Sequence, residues 1–140
     1  MNVIETKNLT KYYGRSRGII DVSLTVESGD FFGFIGPNGA GKSTTIKSLV
    51  GIYPFQEGDI LVDGVSIKTD PLRAKMNIGY VSDNHAVFER LTGQEYINHI
   101  ANLYRVDPQL AKERTDRLLD IFKLRAAFNN PIKRDRKSTL

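Results

Sequence analysis

The sequence predicts an α/β fold, and three observations predict it. A continuous apolar run, FFGFI (31–35), leads into a glycine-rich stretch, IGPNGAGKSTT (35–45), that opens a helix pattern. Two segments of alternating apolar and polar residues, VIETKNL (3–9) and DVSLTVE (21–27), precede it. Two helix patterns then follow one another near the C-terminal end with no strand pattern between them. Strands around one helix, then helices alone, describe an α/β core with a helical appendage.

The elements follow in order. Segments 3–9 and 21–27 have the period of half-buried strands, joined by YYGRSRG (12–18) as a flexible connection. SGD (28–30) makes a turn, and FFGFI reads as a strand buried on both faces. Lys42 to Val50 reads as a helix burying Ile46, Leu49 and Val50, with Gly51 as its stop. DILVDG (59–64) is a short strand hairpinned with VSI (65–67). Asp70 caps a helix that has Pro71 at its first position and runs to Met76. IGYVS (78–82) reads as another buried strand. Thr92 and Glu95 form a capping box for a helix with Tyr96, Ile97, Ile100, Leu103 and Tyr104 at helical spacing. Asp107-Pro108 opens a last helix with apolar positions Leu110, Ala111, Leu118, Ile121 and Phe122. The expected divisions are a core over 1–90, a partial helical subdomain over 91–128 and a basic tail over 129–140.

Bulk properties narrow the function classes. The 140 residues, 40% apolar and 26% charged, suit one soluble globular domain. No window approaches the roughly 18 unbroken apolar residues of a membrane helix, MNVIETKNLTKYY lacks the order of a signal peptide, and there are no cysteines. A cytosolic location is expected. Of the net charge of +4, residues 131–140 carry +3, through four Lys/Arg against one Asp, so the body is nearly neutral. A basic tail on a neutral body does not point to nucleic acid.

Gly36-Pro37-Asn38-Gly39-Ala40-Gly41-Lys42-Ser43 fits the phosphate-loop (P-loop) pattern G-x-x-x-x-G-K-[ST]. Glycines 36, 39 and 41 let successive N–H groups turn inward with no side chain in the way. Those amides and the positive end of the helix dipole suit the phosphates of a nucleotide. Lys42 supplies a point charge to the outer phosphates, Ser43 is placed to ligate Mg²⁺, and Thr44 to bond a phosphate oxygen. A dinucleotide-binding fold is disfavoured: its G-x-G-x-x-G spacing is absent, and Asp63 sits in a turn beside Gly64. His85 and His99 have no partner at metal-ligand spacing, so both read as surface or packing residues.

With NLTKYYG (8–14), residues 19–64 and IGYVSDNHAVFERLTGQEYI (78–97), the sequence resembles the ATP-binding subunit of ABC transporters, especially bacterial drug-export types. The resemblance runs from residue 3 to about 133 and is most specific over 31–64. It implies a P-loop NTPase core (N-terminal part) with an antiparallel β subdomain and the start of a helical subdomain. It implies ATP and Mg²⁺ as cofactors, with the ATP site at 36–44 and Tyr13 stacked on adenine. It also implies Asp83 at a position where the family carries a metal-touching glutamine or acid. The implied partner is a membrane permease, which would hold the chain peripherally on the inner face of the cell membrane, and the full-length family domain is expected to dimerise.

The family's later parts are an S-G-G-type signature loop, a strand ending in Asp-Glu and a switch histidine. None follows NNPIK (129–133), where RDRKSTL closes the chain, so the sequence reads as truncated or frame-shifted before the signature loop. Without a group to orient water, the expectation is weak ATP binding and negligible turnover. Two alternatives stand beside an ATPase subunit. One is a non-catalytic nucleotide-binding fragment, or one that docks a permease through residues 84–105. The other is a small P-loop kinase, which scattered Arg73, Arg90 and Arg105 disfavour. The transported substrate is not written in this chain.

Overall fold

The computed structural model describes residues 1–82 and 88–132, so Asp83, His85 and the basic run from Lys133 lie outside the described residues. The chain divides into two units, Met1–Tyr80 and Val81–Leu140.

In the first unit, β1 (Asn2–Tyr13) and β2 (Ser16–Glu27) form a long antiparallel hairpin. The strands run through the stretch expected to be a flexible connection. Lys11 pairs with Ile19 and Tyr13 with Ser16, leaving a tight turn at Gly14-Arg15. The correction has a local cause: aromatic Tyr12 and Tyr13 favour extended backbone, and a glycine is needed only where the chain reverses. Strand β3 (Glu57–Val62) pairs with β1, and β4 (Val65–Ser66) with β3, giving the order β2-β1-β3-β4. The expected second hairpin is present. Asp63 and Gly64, both at positive φ, turn it in the two-residue form that matches strand twist.

One face of this sheet carries the core: Leu9, Ile19, Ile60, Val62, Ile67 and Ala74, with Val22, Leu49, Phe55, Val65 and Ile78 packed against them. Helix α1 (Lys42–Leu49) brings Leu49, and α2 (Pro71–Met76) brings Ala74. The carboxylate of Asp70 accepts the Arg73 N–H at 3.1 Å, the cap expected from the sequence. In α1 the buried face differs from expectation. Thr45 and Ser48 are buried while Ile46 is exposed. Thr45 tolerates this because its hydroxyl donates to the Gly41 carbonyl one turn back, at 2.9 Å.

Two expected strands are absent. Residues 31–35 are irregular, with Phe31 and Ile35 essentially fully exposed at 107% and 99%. Residues 78–82 are also irregular, and Val81 is exposed. An apolar run becomes a central strand only when neighbouring strands take both its edges and layers cover both its faces. No described residue pairs with either segment.

In the second unit, α3 (Gly93–Leu103) starts at the predicted capping box. The Thr92 hydroxyl accepts the Glu95 N–H at 3.1 Å, and the Glu95 carboxylate accepts the Thr92 N–H at 2.8 Å. These bonds to Thr92 hold the Glu95 carboxyl below its ordinary pKa. Helix α4 (Pro108–Phe122) is capped by the Asp107 carboxylate, which accepts from the N–H groups of Gln109 and Leu110. The 128–132 turn folds back across the start of α3, where Gln94 N–H donates to the Phe128 carbonyl and Ile132 N–H to that of Leu91. The apolar stripes shift from expectation. In α4 Leu119 is the buried residue while Leu118, Ile121 and Phe122 are exposed, and Leu103 of α3 is exposed too. Adjacent leucines at 118 and 119 leave the choice of face to packing, and the inward row is Ala111, Thr115 and Leu119, spaced by one helical turn.

Candidate functional site

The cradle is built where the β1–β2 hairpin meets the start of α1. Gly41 stands at the N-cap with φ +95°, a left-handed conformation that glycine adopts without the Cβ penalty. A Cβ there would lie 2.6 Å from Cγ2 of Ile19, a buried residue of β2. Gly18 is just as restricted, since its Cβ would fall 2.3 Å from the Lys11 carbonyl oxygen. Gly41 thus lets the loop close against β2, and Gly18 lets β2 close against β1 beneath it.

No side chain caps α1, and its first turn holds no acidic residue. The opening N–H groups of a helix have no partner within the helix, and here the positive end of the dipole meets no carboxylate. A cleft of about 300 Å³ opens over this end, lined by Tyr13, Gly18, Asn38, Gly39, Gly41, Lys42, Ser43 and Thr44. None of its lining residues is acidic. N–H donors, hydroxyls and one ammonium around a carboxylate-free cleft suit a polyanion such as a phosphate chain.

The Lys42 ammonium folds back over the loop, donating to the carbonyls of Gly36 at 2.5 Å and Pro37 at 2.7 Å. Ala40 N–H donates to the Pro37 carbonyl at 3.3 Å, closing the turn between them. The Tyr13 hydroxyl lies 3.1 Å from that of Thr44, so the aromatic expected to carry a base stands at the lip of the cleft. Ser43 is exposed at the start of the helix. The structure thus gathers Tyr13, Asn38, Gly39, Gly41, Lys42, Ser43 and Thr44 around one cleft, with Gly36, Pro37 and Ala40 in the loop beside it. Asp83, the expected second metal group, lies outside the described residues. No group of three or more His, Asp or Glu that could hold a metal occurs among the described residues.

The sequence reading missed the residues behind Tyr13: Lys11, Gly18, Ile19 and Tyr53. No local periodicity marks Lys11, because the strand register shifts on both sides of it and Leu9, Thr10 and Lys11 are buried in succession.

Comparison with known proteins places this geometry in context. Residues 19–140 match a family model described as ABC transporter. The lipopolysaccharide export system ATP-binding protein LptB of Haemophilus influenzae is 36% identical over 127 residues, 89% of this chain and 53% of the relative. Its Escherichia coli K12 counterpart is 44% identical over 119 residues, 84% of this chain and 48% of the relative. The ABC transporter ATP-binding protein YhcH of Bacillus subtilis is 36% identical over 132 residues, 94% of this chain and 42% of the relative. A solved structure described as the ATP binding subunit of an ABC transporter superposes with a TM-score of 0.83 at 29% identity, over 91% of this chain and 53% of that one. The chain spans about half the length of the curated relatives it matches.

Proposed function

Since the chain belongs to the ABC transporter family, we propose that it is an ATP-binding component of an ABC-type export system, with its 36–44 loop holding the phosphates of Mg²⁺-ATP. One observation carries the reading: the uncapped, carboxylate-free N-terminus of α1, led by Gly41 and lined by Lys42, Ser43 and Thr44.

Each residue then has a task. The loop amides from Gly36 to Gly41 and the first N–H groups of α1 receive phosphate oxygens. Lys42 exchanges the carbonyls of Gly36 and Pro37 for the outer phosphates, trading two neutral acceptors for charged ones. Pro37, Asn38 and Ala40 shape the turn of the loop. Thr44 bonds a phosphate oxygen in place of the Tyr13 hydroxyl, and the Tyr13 ring takes the adenine. Ser43 and Asp83 hold the Mg²⁺ that neutralises phosphate charge. No described residue lining the cleft is a carboxylate that could act as a base toward water, which supports nucleotide binding without sustained turnover by these 140 residues. ATP hydrolysis coupled to export is assigned to the assembled, dimeric transporter, and the helical unit to contact with its membrane permease. The exposed Leu103, Leu118, Ile121 and Phe122 support that contact. Co-purification with a co-expressed permease tests it, and failure to co-purify would count against it.

The test of the nucleotide reading is Mg²⁺-ATP binding by calorimetry, with phosphate release followed in parallel, for the wild type and Lys42→Ala. A charge-assisted hydrogen bond contributes about 1.5–3 kcal/mol, so Lys42→Ala should weaken binding by about tenfold or more. Unchanged affinity overturns the phosphate site. Steady phosphate release that Lys42→Ala abolishes overturns the absence of turnover.

A further inference from the structure

Lys11 is an unusual residue for its place. It lies on β1 with only 6% of its surface exposed, and burying an ammonium costs free energy unless a partner offsets it. Among the described residues no carboxylate forms an ion pair with it. Its surroundings are aromatic. Nζ sits 4.8 Å from the centroid of the Tyr13 ring and 5.6 Å from that of Tyr53. The two rings meet edge to face, 6.1 Å apart at 90°. The ammonium of Lys47, on α1, lies 5.7 Å from the Tyr53 ring. A cation over a ring face is attracted by the ring quadrupole, more strongly where water is excluded.

Tyr13 is thereby held from several sides. Lys11 lies over its ring, the Tyr53 ring packs against it, Gly18 approaches its Cδ2, and its hydroxyl meets Thr44. Tyr13 lines the cleft above the phosphate loop, whereas Lys11 and Tyr53 do not. The clamp therefore works from behind the ring.

We propose that Lys11, supported by Tyr53, is a positioning residue that fixes the base-stacking face of Tyr13 and so sets preference for a nucleotide over a bare phosphate chain. The inference rests on the ATP reading above and deepens it. A tyrosine near a hairpin turn would otherwise lose side-chain freedom when a base docked. Here that freedom is already given up in the folded protein, so stacking meets a fixed platform. Lys11 contacts the ring without lining the cleft, which leaves the cleft open for the base.

The experiment compares binding of Mg²⁺-ATP and Mg²⁺-tripolyphosphate to the 140-residue chain. The wild type should bind both and prefer ATP. Lys11→Met should weaken ATP by about fivefold, the effect of one cation–π contact, and leave tripolyphosphate unchanged. Lys11→Arg, which keeps the cation, should restore the preference. Tyr53→Leu, at a half-buried position, should act in the same direction as Lys11→Met and carries the comparison if Lys11→Met does not fold. Equal weakening of both ligands would make Lys11 a general charge or a fold residue and overturn the proposal. Unchanged ATP binding would overturn it as well. A wild type that binds tripolyphosphate as tightly as ATP refutes the base platform while leaving the phosphate site standing, whereas one that binds neither refutes the phosphate site itself.

Discussion

A methyl group at Gly41 should cost more than the same methyl at Gly39, and the difference measures how firmly the sheet holds the loop. Both glycines have positive φ, +83° at 39 and +95° at 41. Either alanine therefore pays the left-handed penalty of about 1–2 kcal/mol. The surroundings differ. An added Cβ at Gly39 meets nothing within 4 Å, while one at Gly41 falls 2.6 Å from Ile19 Cγ2. Carbon atoms in contact sit about 3.5–4.0 Å apart, so loop or strand must yield by about 1 Å. Ile19 is 5% exposed and belongs to the core, where overpacking costs about 1–3 kcal/mol. Gly41→Ala should then destabilise the first unit by about 2–5 kcal/mol, against about 1–2 kcal/mol for Gly39→Ala. Urea unfolding by circular dichroism, with amide exchange of Leu9 and Ile60 to report on this unit, reads both. The double variant Gly41→Ala with Ile19→Ala removes the colliding methyl and should cost less than the sum of the singles. Equal midpoints for the two glycine variants would refute the reasoning. So would a Gly41→Ala chain of unchanged stability that has lost ATP binding, because the loop would then have moved freely away from the sheet.

Two further perturbations test the helical unit. Thr92→Ala removes half of the capping box and should cost about 1 kcal/mol in urea unfolding, while leaving ATP binding in place. The box also sets a pH dependence. Hydrogen bonds from Thr92 lower the folded pKa of Glu95 below its ordinary 4.5, so the stability they confer is present above that value and is lost as pH falls through the lower, folded value. Glu95→Gln should flatten this acid limb, and an unaltered limb would remove Glu95 as its source. Just past the end of α4, the Arg125 guanidinium bonds back to that helix, to Asp120 at 2.8 Å and Asp116 at 3.0 Å. It holds the Asp120 carboxyl below its ordinary 3.8, chiefly by that hydrogen bond. Arg125→Met should return Asp120 to the ordinary range in a carboxyl NMR titration, with little change in the urea midpoint because the pair is exposed.

What the sequence made legible was local. The caps at Asp70, Thr92 and Asp107 and the turn at Asp63-Gly64 each depend on residues within four positions of one another, and all stand as read. The misreadings were non-local. FFGFI and IGYVS are apolar enough for central strands, but a strand is a relation between segments, and the described residues supply no neighbour for either. Leu118 was expected on the apolar face of α4, but Leu119 beside it is equally apolar, and burial alone shows which of the two is covered. Lys11 was hidden for the same reason. Its partner, Tyr53, lies 42 positions away, beyond any periodicity.

The position of the phosphate loop follows from this contrast. In the sequence the loop looks suspended from the apolar run before it, yet that run is exposed and pairs with no strand among the described residues. What holds the loop is the hairpin on its other side: Ile19 against Gly41, the Tyr13 hydroxyl against Thr44, and Leu49 of α1 in the sheet core. On the proposed reading, phosphate binding and base binding then share one support. A perturbation of β1 or β2 near residues 11–19 reaches both ends of a bound nucleotide, whereas a perturbation of 31–35 reaches the loop only through the chain. Substituting Phe31 or Ile35 by serine should therefore improve solubility and leave Mg²⁺-ATP affinity within about twofold, since each exposed apolar side chain contributes no buried contact to the cradle. A large loss of affinity in those variants would mean that residues 31–35 support the loop in solution, and that the hairpin alone does not.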